Sequence, residues 1–182
     1  QLVLISGCSG TGKTALASTL KLRVRRQKGA FIRGKFDVYR RDEPYTGIAA
    51  ACRELCGEML LLRDTPSSEA LFQEIRSKIV DQLGTELPLL TNVIPHLHEI
   101  VGESEGVEGT KMERQGGRVE SKSRFNYAFR RIRRVMSSYF MPLVMLLYDL
   151  QWSDLASLGL LQVLITDRDI PTVMGSACYR SK

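Results

Sequence analysis

Gly7 to Thr14 reads GCSGTGKT, a match to GxxxxGK[ST], and these residue types at this spacing can hold a polyphosphate. Gly7, Gly10 and Gly12 permit the backbone dihedrals that turn successive N–H groups inward, and a side chain at those places would obstruct the anion. Together with Cys8, Ser9 and Thr11 they form a nest of amide donors. Lys13 adds a full positive charge expected to reach the β- and γ-phosphates, and the Thr14 hydroxyl is the expected ligand of the bridging Mg²⁺. A dinucleotide fingerprint, GxGxxG, is the rival reading of the same glycines. It fails because the third glycine is missing and a lysine stands where a close helix–strand contact is required.

Phosphate chemistry of this kind calls for a carboxylate at the end of a neighbouring apolar strand. VMLLYDLQWSD is the segment that offers one, in Asp149. The bland reading of the same stretch is a buried strand, Trp152 packed on the core and Asp154 capping a helix. His96 and His98 lie two apart without matching ligands, so no metal site is expected there.

These groups need a scaffold. LVLIS, residues 2–6, is a short apolar run closed by glycine, the pattern of a strand buried on both faces. A helix is predicted from Lys13 to Gln27 with Leu16, Leu20 and Val24 along its apolar stripe, so its positive end lies beneath the glycine loop. AFIRGKF reads as a second strand, residues 44–62 as a helix opened by Pro44, and the stretch from Ser67 or Ser68 to Gly84 as another. Pro88 and Pro95 restrict the next segment to short helical turns. Residues 102–123, rich in glycine and charge, predict a mobile insertion. An arginine-rich helix then begins near Arg124, with Phe125, Phe129, Ile132 and Met136 on one face and arginines on the rest. PLVMLLYD is a strand, DLASLGLLQVLITD a helix capped by Ser153 or Asp154, and PTVMGSA the last strand. Strands alternating with helices imply a parallel sheet covered on both sides.

Composition sets outer bounds. With 182 residues, 43% hydrophobic and 25% charged, the chain suits one globular domain, residues 1–182. No stretch approaches the ~20 apolar residues of a membrane span, so no membrane partner is expected. Four cysteines without CxxC spacing argue against zinc and a disulfide framework and for a reducing, cytoplasmic setting. The net charge of +6 admits an acidic partner, yet the basic run on the arginine-rich helix reads as an amphipathic face rather than a nucleic-acid footprint. There is no initiating Met, and the chain reads as an excerpt from a longer protein.

The motifs GCSGTGKT, GKFDVYRRDEPY, RFNYAFRR, LLYDLQWSD and DRDIPTVMGSACYR, in this order, make the chain resemble the AAA-like ATPase domain of STAND signal-transduction ATPases, which is similar to the origin-recognition AAA ATPases. The resemblance implies the P-loop fold, a three-layer α/β/α sandwich with a mainly parallel sheet of order 5-1-4-3-2, here truncated before the last strand and the helical lid. An open sheet edge would follow, and with it self-association. It also implies ATP and Mg²⁺ as ligands and attached or bound signalling modules of kinase or cyclase type as partners.

Two adjacent acids ordinarily end the apolar strand in that family. Here they are Tyr148 and Asp149. The resemblance places Tyr148 at the Mg²⁺-associated position and Asp149 at that of the acid polarising the attacking water, with service to the metal as an alternative for Asp149. A phenol is neutral at pH 7 and cannot replace a carboxylate's charge. Arg180 matches the arginine that senses the γ-phosphate. The expected function is an ATP-dependent regulatory switch with slow hydrolysis. A hydrolysis-deficient nucleotide-binding scaffold and a DNA-associated initiator-like ATPase are the alternatives.

Overall fold

The structure is a computed structural model that describes residues 2–8, 10–102, 118–167 and 173–179. Its elements follow the order β1 (Leu2–Ser6), α1 (Lys13–Arg26), β2 (Ala30–Lys35), α2 (Thr46–Arg63), α3 (Glu69–Leu83), α4 (Leu87–Thr91), α5 (Leu97–Val101), α6 (Arg118–Tyr139), β3 (Leu143–Tyr148), α7 (Leu155–Thr166) and β4 (Val173–Tyr179). The strands form one parallel sheet in the order β1-β4-β3-β2. None of the described helices is both long and apolar enough to cross a membrane.

A parallel sheet buries both faces, and β3 shows why the apolar run LVMLLY is unbroken: its first five residues are buried, alternating between two clusters. Val144 and Leu146 face α1 together with Phe31, Ala17 and Val24. Leu143, Met145 and Leu147 face the larger cluster, built from Ile32 and residues of α2 to α7. The result is an α/β/α sandwich with one described helix, α1, on one side and the rest on the other. β1 corrects the expectation of a strand buried on both faces: Val3 is 38% and Leu4 60% exposed, because β1 is an edge strand and the helices pack chiefly on β2 and β3.

The helix faces follow period 3.6, with two corrections. On α1 the face toward the sheet is Ala17, Leu20 and Val24, while Leu16 is 62% exposed, because Ala17, three and seven residues before Leu20 and Val24, shares their face and Leu16 lies beside it. On α6 the expected Phe125, Phe129, Ile132 and Met136 are all buried, but the helix starts at Arg118, six residues before the predicted start near Arg124. The expected insertion, 102–123, lies for the most part outside the described residues. Nor do the arginines of α6 all face solvent. Arg133 is 5% exposed, donating to the Leu164 carbonyl at 2.9 Å and to Asp167, which Arg130 also contacts at 2.9 Å. Burial holds the Arg133 guanidinium below its ordinary pKa.

Two glycines set how α2 meets the sheet. A Cβ on Gly34 would lie 1.8 Å from the Gly47 carbonyl oxygen, and one on Gly47 would strike the Phe36 ring at 2.7 Å. Backbone therefore rests on backbone, and α2 lies directly against β2.

Candidate functional site: the carboxyl edge of the sheet

Strand register decides what meets at the functional edge. Ile5 pairs with Cys178, Cys178 with Tyr148, and Tyr148 with Lys35, so the four strands end in one row. The loop after β1 and Asp149 after β3 therefore leave the sheet on the same side, two strand spacings or about 10 Å apart. Ligands of open α/β sheets bind at this edge.

The loop itself has the backbone its glycines allow. Gly7, Gly10 and Gly12 have φ of 154°, 82° and 80°, and no heavy atom lies within 4 Å of a Cβ built on Gly10 or Gly12. Conformation, not crowding, therefore demands glycine at those two positions. Gly12 occupies the N-cap position of α1, in the left-handed region and without a side-chain cap, and the first turn of α1 holds no acidic residue. The helix thus presents its N–H groups and positive dipole end to the loop. Lys13 Nζ donates to the carbonyls of Gly7 at 2.6 Å and Cys8 at 2.5 Å, and the Thr11 hydroxyl donates to Cys8 O at 2.9 Å. The ammonium is thereby folded over the loop's mouth. Thr14 is exposed in the first turn of α1, while Ser9 lies outside the described residues.

Across the edge, Asp149 is the residue in which β3 breaks, and it does so in the left-handed region, φ 55° and ψ 44°. A non-glycine residue pays for that conformation, and such strain gathers at functional sites. Its carboxylate lies 3.8 Å from Lys35 Nζ and accepts from Gln151 Nε2 at 3.3 Å. Among the described residues no hydrogen bond or ion pair joins Asp149 to Lys13 or Thr14. Tyr148 is half-buried and packs against the α1-side cluster. Arg180 lies outside the described residues.

Both elements of the bland reading of LLYDLQWSD are present beside this geometry. Trp152 packs on the core, and Asp154 caps α7, with Ser157 N–H donating at 2.8 Å. Asp154 rather than Ser153 is the cap. Its other oxygen reaches across the fold to accept the Tyr45 N–H at 3.2 Å, tying the start of α7 to the start of α2. Arg41 lies over the Trp152 ring, 5.3 Å from its centroid. Lys35 and Asp37 of GKFD match the family pattern and read as structural in the sequence; the ion pair of Lys35 with Asp149 shows only once β2 and β3 are in register.

Cys8, in the loop after β1, is exposed. Cys52 and Cys56 are free and buried against the larger core cluster. Burial pushes the Cys56 thiol up to about 12 and raises that of Cys52 as well.

A hybrid signal transduction histidine kinase G of Dictyostelium discoideum is 32% identical over 165 residues, covering 91% of this chain. The chain spans 4% of that relative's length. The family described as AAA ATPase domain matches residues 1–174, nearly the whole sequence, and includes the glycine loop, Lys35 and Asp149. The chain belongs to the AAA ATPase domain family.

Proposed function

We propose that the chain binds ATP with Mg²⁺ at the loop of residues 7–14, and that slow hydrolysis makes it a regulatory switch for kinase- or cyclase-type modules attached or bound to it. The observation that carries this reading is the pairing of an uncapped helix start with an ammonium folded over its own loop carbonyls. Both are donor groups awaiting a multiply charged acceptor. Family membership supports nucleotide use, and the signalling relative supports the wider role.

In this proposal the amides from Gly7 to Thr14, those of Cys8, Ser9, Gly10, Thr11 and Gly12 included, cradle the phosphates, and Lys13 exchanges the Gly7 and Cys8 carbonyls for phosphate oxygens. Thr14 and Asp149 would hold Mg²⁺, which when bound supplies charge neutralisation between the phosphates. Asp149 orients the attacking water, and Arg180 reads the γ-phosphate. Lys35 and Gln151 fix where the Asp149 carboxylate points. A cytoplasmic setting and self-association belong to the same proposal. Nucleic acid does not, since Arg124, Arg130 and Arg133 of α6 are engaged by Glu86 and Asp167.

A second reading, a nucleotide-binding scaffold that no longer hydrolyses, is favoured by Tyr148. Its ring packs on the core where the family has a carboxylate, and Asp149 is left to face an ammonium. Phosphate release by the full-length protein separates the two. Measurable release that Tyr148→Asp leaves within a few-fold supports the switch, whereas release at background that the variant raises strongly supports the scaffold.

A further inference from the structure

The outer edge of β2 carries a second polar feature, of which the nucleotide reading uses only Lys35, as the residue beside Asp149. A groove of about 440 Å³ opens there, lined by Arg33, Lys35, Arg53, Glu54 and Tyr148 and floored by Gly34. It exists because Gly34 and Gly47 let α2 lie on the strand, which swings Arg53 and Glu54 over the sheet edge. Glu54 is already committed: it accepts the Arg33 backbone N–H at 2.8 Å and that guanidinium through Nε and Nη2 at 3.1 and 2.9 Å. This closes the outer edge of β2 at that residue.

What remains in the groove is a surplus of donors. Lys35 lies 3.8 Å from Asp149, an ion pair beyond hydrogen-bond reach, and among the described residues its three N–H groups make no hydrogen bond. Arg53 is exposed on α2 and makes no hydrogen bond or ion pair among the described residues, leaving its five N–H groups for solvent. Two cationic heads with eight free donors, on the rim of a concave site whose single carboxylate is spent, match a compact group bearing several acceptor oxygens and two negative charges. The groove lies over β2 and β3, three strand spacings or about 14 Å from β1 at its outer end, too far for the loop of residues 7–14 to supply the same ligand.

We infer that this groove is a second oxyanion site, separate from the loop of residues 7–14, which takes a phosphate monoester between Arg53 and Lys35. The monoester is either free phosphate or a phosphorylated side chain on a protein segment.

The test is titration of the chain with inorganic phosphate and, in a second arm, with a short phosphoserine peptide, followed through the backbone amide resonances of residues 34, 35 and 53, which every variant retains. Lys13→Ala, Arg53→Gln and Arg53→Lys are run in parallel. Arg53 is exposed and unpartnered, so its replacement leaves the fold intact. The expected result is saturable binding kept in Lys13→Ala, weakened about tenfold or more in Arg53→Gln, partly restored in Arg53→Lys and reduced by salt. Tighter binding of the peptide identifies a phosphorylated side chain as the source, and equal binding identifies free phosphate. Binding unchanged in Arg53→Gln, binding lost in Lys13→Ala, or no saturable shift with either probe overturns the inference. The nucleotide reading stands or falls separately, on Lys13.

Discussion

Replacing Asp154 with alanine removes a clamp beneath the functional edge. One oxygen of this carboxylate accepts the Ser157 N–H, and the other accepts the Ser157 hydroxyl at 2.6 Å and the Tyr45 N–H at 3.2 Å. Loss of the cap costs ~1 kcal/mol. Tyr45 is buried and starts α2 from the left-handed region, φ 66°, so its N–H is left without a partner at a further ~1–3 kcal/mol. The sum is ~2–4 kcal/mol, which for a chain of this size lowers Tm by about 4–16 °C. Urea unfolding followed by circular dichroism gives the free energy. Asp154→Asn keeps an acceptor for the Ser157 N–H and should lose less than half as much. Amide exchange adds a local check, since protection of the Tyr45 and Ala49 amides should fall more than that of α6. A loss below ~0.5 kcal/mol in Asp154→Ala would refute the idea that one carboxylate joins α2 to α7.

Two further outcomes follow from packing and burial. Gly34→Ala should cost ~1–3 kcal/mol or more by calorimetry, because its Cβ meets a backbone oxygen that cannot rotate away; an unchanged Tm would show that α2 does not rest on β2. Thiol labelling of the native chain, mapped by peptide mass, should modify Cys8 readily and spare Cys52 and Cys56 until the core opens. Cys56 is raised from an ordinary thiol value of about 8.5 to about 12, so its contribution to stability is fully present below pH ~8.5 and is lost as pH rises through about 12. A Cys56→Ala variant should show a flatter decline of stability over that range.

Much of this architecture was readable from residue patterns, because the patterns are local. The unbroken apolar run 143–147 marks a doubly covered strand, whereas the similar run 2–6 forms an edge strand with Val3 and Leu4 exposed, and Phe125, Phe129, Ile132 and Met136 mark a helix face at any fold. The glycine loop was readable because each residue type has a separate physical duty. What escaped depends on contacts between distant parts of the chain. Lys35 meets Asp149, Tyr45 meets Asp154 and Arg133 meets Asp167 only after strands and helices are placed. Leu16 reads as core in the sequence because leucine outranks alanine in hydrophobicity, whereas the sheet admits Ala17 at that level of α1. Gly34 carries no signal of its own, and its necessity appears only against Gly47. Of the residues expected at the site, Ser9 and Arg180 lie outside the described residues, so their roles rest on the sequence.

The most direct measurement is a titration of the isotope-labelled chain with Mg·ATP, following the amide resonances of Gly10, Gly12, Lys13 and Thr14, beside the same titration of Lys13→Ala. The account predicts saturable shifts at these amides and an affinity about 10- to 100-fold weaker in the variant, the loss of one charge-assisted contact. Amides that stay in place while the rest of the spectrum reports a folded chain, or equal affinity in the two proteins, would contradict it.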